Sequence, residues 1–273
     1  MQIIGERSLA AKTAQLLSLL SRRPREFGDR VSTICQVFFE GFLAATPDYP
    51  LTDWQDLVMG VEIALQTELR PFTLEPEFAE IEASVNSGIS KLIAHAPFRL
   101  SHNADFTLAR LYYLICRALK PSCVLETGVG YGVSSAFILR AMEINAAGAL
   151  YSIDLPPLGR NADDFVGFLI PESLRRRWHL HRGTSKRILP QLLRQIGQLD
   201  MFIHDSLHTN TNVRQELEAV TSHLAPCSIV IADDINENVA FHRWVRRMKP
   251  AFWAAIREET KPSIFGVCVM SGK

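Results

Sequence analysis

The sequence has no pair of cysteines spaced like a metal-binding or redox motif. Its five cysteines are far apart and most lie within apolar segments. We therefore expect reduced, buried thiols in a cytoplasmic protein rather than a disulfide scaffold or a zinc site. The sequence also lacks a run of about 20 apolar residues, so we expect no stable membrane insertion. Charged residues near the N-terminus interrupt the place where a signal peptide would need its apolar core.

An excess of charge of either sign is also missing. The chain has 29 basic and 29 acidic residues among 273, so its overall charge does not predict binding to nucleic acid. Residues 7–22 form an apolar and polar pattern that predicts an amphipathic helix packed on the rest of the protein. A helix lying on a membrane surface is the alternative.

Hydrophobic periodicity divides the chain into a helical part and an alternating part. Apolar residues recur at helical spacing in residues 7–22, 28–45, 52–67, 76–94 and 104–120. Seven short strand-like segments follow, separated in most places by helical ones, at residues 123–128, 149–154, 178–183, 199–205, 227–234, 252–259 and 264–270. This alternation predicts an α/β fold with a parallel sheet, whose last two strands form an antiparallel hairpin at one edge. We expect a helical N-terminal region at residues 1–103 and an α/β domain at residues 104–273.

A glycine-rich turn follows the first predicted strand. The stretch VLETGVGYGVSS (residues 124–135) places Gly128, Gly130 and Gly132 before a helix start, where backbone without side chains can approach a ligand. Asp154 ends the next predicted strand, where a carboxylate can accept hydrogen bonds from both hydroxyls of a ribose. The dinucleotide pattern G-x-G-x-x-G fails, because a valine or a serine occupies the third glycine position. A structural turn with no ligand is the alternative.

The pattern Glu-x-Gly-x-Gly-x-Gly, which begins at Glu126, resembles the first motif of class I S-adenosylmethionine-dependent methyltransferases. The resemblance covers about residues 100–273 and implies a Rossmann-like, seven-stranded methyltransferase sheet with its last strand antiparallel. It implies that the loop binds S-adenosylmethionine as cofactor. The cofactor-binding residues that it implies are Glu126, Gly128, Gly130, Gly132, Ser134, Asp154, Thr184 and Ser185. Tyr131, within the loop, is expected to be either a lid over the cofactor or a surface aromatic residue.

Three carboxylates end two predicted strands that should be buried. Asp205 ends one strand, and Asp233 and Asp234 end the next. Ligands of a doubly wound sheet sit beyond the carboxyl ends of its strands, and carboxylates that converge there repel one another and need a partner. Oxygen ligands of this kind suit Mg²⁺. In the alternative, Asp233 caps or pairs with a neighbouring helix, and only Asp205 and Asp234 matter.

The segment HDSLH (residues 204–208) resembles the Asp-x-x-His element of metal-dependent O-methyltransferases, a group that includes macrolide-sugar enzymes and is related to the catechol type. The resemblance implies that Asp205, Asp233 and Asp234 hold magnesium and that His208 is the general base. Its alternative is that His208 caps the helix that follows. The implied function is O-methylation of a small-molecule acceptor, such as a sugar or glycoside, with no nucleic-acid partner and with a homo-oligomer left open. A Rossmann-like oxidoreductase or a ligand-binding module is the competing function.

The segment of residues 156–178 is long for a connection between two strands. We expect it to form the acceptor pocket together with part of the helical N-terminus. Arg160, Asp163 and Asp164 within it are expected either to bind the acceptor or to be solvated. His204 points away from Asp205 on its strand and is expected to be packed.

Overall fold

The helical part of the chain forms as the periodicity predicts. The computed structural model describes residues 9–41, 46–93, 95–100, 103–159 and 161–272. The helices that precede the sheet are α1 (Leu9–Arg22), α2 (Pro24–Gly41), α3 (Trp54–Leu65), α4 (Pro76–Leu92) and α5 (Phe106–Leu119). Helix α2 begins at Pro24 rather than at residue 28, because a proline fits the first turn of a helix, where its missing N–H is not needed. Residues 42–45 of that predicted helix lie outside the described residues.

Seven strands form one sheet, in the order β3-β2-β1-β4-β5-β7-β6. They are β1 (Cys123–Thr127), β2 (Ala149–Asp154), β3 (Trp178–Arg182), β4 (Leu199–His204), β5 (Leu224–Ala232), β6 (Phe252–Arg257) and β7 (Ile264–Val269). The first five are parallel, and β7 is antiparallel to both β5 and β6. This order confirms the predicted α/β sheet with its antiparallel last strand.

Helices cover both faces of the sheet. The remaining ones are α6 (Val133–Asn145), α7 (Ser185–Ile196), α8 (Asn210–Thr221) and α9 (Ala240–Met248). Successive residues of a strand point to opposite faces, so Ile203 packs in the core with α3 to α6, whereas Phe202 packs with α7 to α9. Helices α3 and α4 thus share one core with the sheet, and residue 103 does not separate two cores.

The thiols are less uniformly buried than predicted. Cys116 and Cys268 are buried, but Cys35 and Cys227 are exposed, which corrects the expectation for those two. Cys35 lies on a face of α2 that is turned to solvent, and apolar neighbours in the sequence did not reveal this. Within the described part of the chain, no helix has both the length and the apolar character needed to span a bilayer.

The topology places a crevice at the carboxyl ends of the parallel strands. From β1 the sheet continues through β2 to β3 on one side and through β4 to β5 on the other. The connections therefore leave β1 and β4 in opposite directions, and this switch point is where open α/β sheets bind ligands.

Candidate active site

A cavity of about 1660 Å³ opens at this crevice. It is larger than the roughly 300–1,000 Å³ of a typical pocket for one small molecule, so it has room for a donor and an acceptor together. The predicted site residues that line it are Gly128, Gly130, Asp154, Thr184, Ser185, Asp205, His208, Asp233 and Asp234. Helix α2 lies along one side of the cavity and contributes Arg30, Gln36 and Glu40 to its lining.

Asp154 holds the glycine loop in place. Its Oδ2 accepts hydrogen bonds from the N–H groups of Val129 and Gly130, at 2.8 and 3.0 Å. Burial raises the pKa of the Asp154 carboxyl to about 6, and these two hydrogen bonds limit the rise. Gly128 has φ of 86°, and a Cβ there would lie 1.8 Å from the carbonyl oxygen of Asp205. A glycine is required because the loop passes directly against the chain at the end of β4.

Three predicted cofactor residues, Glu126, Gly132 and Ser134, do not line the cavity. Glu126 is 1% exposed, and its carboxylate accepts hydrogen bonds from the hydroxyls of Ser135 and Ser152 at 2.7 and 2.8 Å. Gly132 begins α6 in the left-handed region and packs against the segment after β2. Ser134 is buried in the first turn of α6. These residues support the loop from inside the protein, so we assign them no contact with a cofactor.

Tyr131 is neither a lid nor a surface residue, which corrects both expectations. Its side chain is fully buried. The ring stacks on Phe98 with centroids 4.0 Å apart, and its hydroxyl donates a hydrogen bond to the Phe98 carbonyl at 2.6 Å. Because Phe98 lines the cavity, Tyr131 supports the cavity wall from behind.

The structure brings the three acids together with His208. The N–H of Asp233 donates to the His204 carbonyl at 2.8 Å, which fixes the end of β5 beside the end of β4. The Nδ1 of His208 lies 2.6 Å from the Oδ2 of Asp234, and its Nε2 lies 3.7 Å from the Oδ1 of Asp205. Asp234 has φ of 50°. A left-handed backbone is uncommon for a residue other than glycine and is found at functional turns.

Burial and the crowding of like charges together set the electrostatics of this cluster. Burial, followed by the nearby carboxylates of Asp205 and Glu258, raises the pKa of Asp233 well above its usual range. Burial opposes a charged His208, but the adjacent carboxylates of Asp205 and Asp234 outweigh it and raise the His208 pKa well above its usual value. A cation among these carboxylates would offset their repulsion, so the residues present fit a divalent metal ion.

The alternatives for single residues are resolved by hydrogen bonds. Thr209, not His208, caps α8, because its Oγ1 accepts the Asn212 N–H at 3.3 Å. Asp233 caps no helix, and in the described ranges it pairs with no lysine or arginine; its Oδ1 accepts the N–H of Asp234 at 2.8 Å. His204 is fully buried, as expected, with its Nδ1 2.7 Å from the Glu216 carboxylate.

The segment after β2 contributes less to the cavity than expected. Of residues 156–178, only 156–158 line it. Asp163 accepts hydrogen bonds from Arg182 instead of facing an acceptor, and Asp164 is exposed. Arg160 lies outside the described residues. Helix α2 occupies much of the place that this segment was expected to take.

Sequence reasoning missed Glu237 and Lys261, which both line the cavity. His208, Asp234 and Glu237 each offer one ligand atom, and these atoms lie within 4.8 Å of one another. Glu237 ends a short 3₁₀ helix, Ile235–Glu237, that starts directly after Asp234. A turn of three residues brings side chains i and i+3 to the same side, so the acid at that spacing was the available signal.

Comparisons with known proteins agree with this architecture. A family model described as a methyltransferase domain matches residues 125–235, and no curated protein sequence matches the chain significantly. The O-methyltransferase from Bacillus cereus in complex with SAH is similar over 68% of this chain and 90% of its own, with 13% identity and a TM-score of 0.56. TomG from Streptomyces achromogenes, an O-methyltransferase involved in tomaymycin synthesis and solved with SAM, is similar over 72% and 91%, with 15% identity and a TM-score of 0.53. At these identities the likeness establishes the fold alone.

Proposed function

We propose that this chain is a class I methyltransferase that transfers a methyl group from S-adenosylmethionine to a hydroxyl oxygen of a small polar acceptor. We also propose that a divalent cation, of which Mg²⁺ is the best match, takes part. One observation carries both proposals: a single cavity joins the glycine loop and Asp154 to the cluster of Asp205, Asp233, Asp234 and His208. The two halves touch where Gly128 meets Asp205.

Asp154 and the glycine loop would bind the donor. One carboxylate oxygen of Asp154 holds the loop, and the other is free to accept hydrogen bonds from ribose hydroxyls. Gly128 and Gly130 present bare backbone to the methionine part of the donor. Thr184 and Ser185 begin α7 beside this position and would border the adenine.

Asp205, Asp233 and Asp234 would hold the cation, with Glu237 at the edge of the same cluster. Carboxylate oxygens suit Mg²⁺, which keeps several ligand positions for water or substrate. A cation in this place supplies an orienting point for a hydroxyl and lowers that hydroxyl's pKa. The carboxylates that bind the cation cannot also accept the proton of that hydroxyl.

His208 is the group suited to accept that proton once a cation is bound, because the cation would offset the carboxylate charges that raise the His208 pKa. Asp234 accepts a hydrogen bond from Nδ1–H, which orients the imidazole and leaves Nε2 for the acceptor. The Nε2 atom is buried and makes no hydrogen bond within the described residues. The hydroxyl proton would move to Nε2 while the acceptor oxygen bonds the methyl carbon. The methyl–sulfur bond breaks in the same step, and its electron pair stays on the sulfur as a neutral thioether.

The walls near His208 favour a hydroxyl-rich acceptor such as a sugar or glycoside. The residues there are mostly short and polar, namely Ser206, Thr209, Asn210, Thr211 and Gln215. Such side chains pair with hydroxyls, and a buried polar group left without a partner costs binding energy. The Oδ1 of Asn210 is buried and has no hydrogen-bond partner among the described residues, so a flat apolar acceptor would leave it unpaired.

The proposal is tested with methyl-labelled S-adenosylmethionine and a panel of sugars, glycosides and catechols in the presence of Mg²⁺. We expect label in a hydroxylated acceptor. His208→Ala should lower turnover by roughly 10²–10⁴ with unchanged donor affinity, because the donor does not contact the imidazole. His223→Ala is the matched control, since His223 does not line the cavity and, within the described residues, its ring hydrogen-bonds only to the Gly197 carbonyl.

Two results would contradict this account. Saturable binding of NAD without binding of S-adenosylmethionine would favour the oxidoreductase alternative. A near-normal rate for His208→Ala would remove the general-base role from His208 and leave methyl transfer itself standing.

A further inference from the structure

Helix α2 turns a mostly polar face to the cavity and apolar rings to solvent. Asp29, Arg30 and Glu40 line the cavity beside Ile34 and Val37, whereas Phe38 and Phe39 are 62% and 65% exposed. Among the described residues of α1 and α2, none belongs to the apolar cores of the protein. The position of this helical hairpin on the body of the protein therefore depends on polar contacts.

Glu26 is the most buried of these polar contacts. It is 5% exposed, and Arg182 donates to both of its carboxylate oxygens, at 2.7 and 3.1 Å. Arg30, one turn along α2, donates to Oε1 at 2.9 Å. Burial opposes the charge on Glu26, but hydrogen bonds from Arg182 and Arg30 outweigh it and lower its pKa to about 2. Glu26 therefore stays ionised inside the protein.

A third arginine, the more exposed Arg23, donates to Glu26 at a longer 3.4 Å, and the two closer partners lead to the residues that form the donor site. Arg182 is the last residue of β3 and pairs in register with Asp154 on β2. The next residue, Gly183, lines the cavity and donates its N–H to the Asp154 carbonyl at 2.8 Å. Arg30 donates to the Pro156 carbonyl at 2.9 Å, just after β2. One carboxylate thus connects α2 to the ends of two neighbouring strands.

Further polar contacts hold the rest of α2 against the body of the protein. Arg187 of α7 donates to Asp29 at 2.9 Å. Glu40 accepts the Thr211 N–H at 3.2 Å, and Gln36 donates to the Thr209 hydroxyl, next to His208. Holding the N-terminal end of α2 on β3 therefore also places its C-terminal end over the acceptor part of the cavity.

We infer that Glu26 is a positioning residue, which holds α2 over the cavity through Arg182 and Arg30 and thereby sets the affinity for the methyl donor. The inference rests on the proposed function for its ligand. It follows from the position of the charges: removing the carboxylate leaves Arg30 and Arg182 crowded at a partly buried site with only the more exposed Asp163 opposite them. The helix then spends part of its time away from the cavity, and apparent donor affinity falls with the fraction of closed molecules.

The test uses Glu26→Gln in the full chain, with Glu143→Gln as the matched control. Glu143 also accepts hydrogen bonds at both carboxylate oxygens from one arginine on another element, Arg176, at 2.8, 2.9 and 3.1 Å, but it does not line the cavity. Calorimetric titration with S-adenosylmethionine should show an affinity about tenfold weaker for Glu26→Gln and unchanged for Glu143→Gln. Arg182→Met should reproduce the loss, and the double variant should be no worse than either single one.

Hydrogen exchange provides a readout that does not depend on the donor. Amides of residues 24–41 should exchange faster in Glu26→Gln, while those of β1, β4 and β5 keep their rates. Equal exchange in α2 for wild type and variant would overturn the inference, as would donor affinity within twofold of wild type in both Glu26→Gln and Arg182→Met. A wild-type protein that binds no S-adenosylmethionine, yet whose α2 loosens in Glu26→Gln, would instead refute the proposed function and leave the positioning role standing.

Discussion

Asp154 has one task in the fold and one that we propose for it. Oδ2 holds the glycine loop through two backbone N–H groups, and we propose that the other oxygen binds the ribose of the donor. Its position could be predicted from the sequence, because a carboxylate at the end of the second strand follows the glycine turn at a recognisable spacing. Its two hydrogen bonds to the glycine loop could not be predicted, because they depend on the geometry of the folded turn.

Donor binding should depend on pH through Asp154. Its carboxyl must be ionised to accept hydroxyl hydrogen bonds, and its pKa is raised to about 6, chiefly by burial. We expect affinity for S-adenosylmethionine to be constant above that pH and to fall as the pH decreases through it. Asp154→Asn should weaken binding by ~1.5–3 kcal/mol at neutral pH, the value of a hydrogen bond to a charged group, and should abolish this pH dependence.

Asp200→Asn is the control for that titration. Asp200 likewise accepts two backbone N–H groups, from Ser122 and Cys123 at 2.8 and 3.0 Å, but it lies at the start of β4, away from the cavity. Affinity that stays flat from pH 8 to pH 5 in wild-type protein would remove Asp154 from the ribose, and so would an unchanged affinity in Asp154→Asn.

Glu126 shows what a motif does not reveal about a side chain. Its place before the glycines suggests a ligand contact, but strand side chains alternate, and its carboxyl points between β2 and α6 to Ser152 and Ser135. Ser152 is 26 residues from Glu126, and no sequence pattern marks Ser135 as a partner of Glu126. The sequence therefore does not indicate this hydrogen-bond network.

At the scale of elements, the join between β4 and α8 determines where Asp205 and His208 lie. Glu216 of α8 is 1% exposed and accepts hydrogen bonds from Thr127 at 2.6 Å, Ser206 at 2.7 Å and Asn212 at 2.9 Å, with His204 at 2.7 Å. Because Ser206 directly follows Asp205, this carboxylate fixes the loop that carries Asp205 and His208. The sequence does not indicate these partners of Glu216.

Replacing Glu216 by Gln should destabilise the fold. A hydrogen bond to a charged group contributes roughly 1.5–3 kcal/mol, so loss of the Glu216 charge should cost at least that much, which urea unfolding would measure at pH 7. Glu218→Gln, an exposed carboxylate on the same helix, should change the unfolding free energy by less than about 0.5 kcal/mol. A loss for Glu216→Gln no larger than that for Glu218→Gln would refute the supporting role.

The effect of Glu216→Gln on the free energy of unfolding should depend on pH. Burial opposes the Glu216 charge, but His204 and the hydroxyl donors lower its pKa from 4.5 to about 2. A lowered carboxyl pKa contributes stability that is fully present above the unfolded value and is lost as the pH falls through the folded value. The difference between wild type and Glu216→Gln should therefore shrink between about pH 4.5 and pH 2.

At the scale of the whole molecule, the sheet could be predicted from the sequence, but the position of α2 over the cavity could not. Seven strand-like segments with helices between them give the sheet, because parallel strands with these connections have few possible arrangements. The position of α2 depends on contacts such as that of Glu26 with Arg182, which are 156 residues apart. No local sequence pattern links these two residues. The apolar residues on the exposed face of α2 follow the same pattern as those of a helix packed on a core.

The acids at the strand ends were predictable for the same topological reason. Asp205 and Asp233 follow neighbouring parallel strands, and those strands end at one edge. Their distances to His208 required the left-handed turn at Asp234, which redirects its carboxylate and which the sequence does not indicate.

The central claim, that this edge binds a divalent cation beside the donor, is tested most directly by titrating the protein with Mn²⁺ and following free Mn²⁺ by electron paramagnetic resonance. Mn²⁺ prefers the same oxygen ligands as Mg²⁺. We expect one Mn²⁺ per 30.7 kDa chain, displaced by Mg²⁺, retained in Asp200→Asn and lost in the Asp205→Asn/Asp234→Asn double variant. No saturable Mn²⁺ binding, or equal binding by wild type and the double variant, would contradict the account.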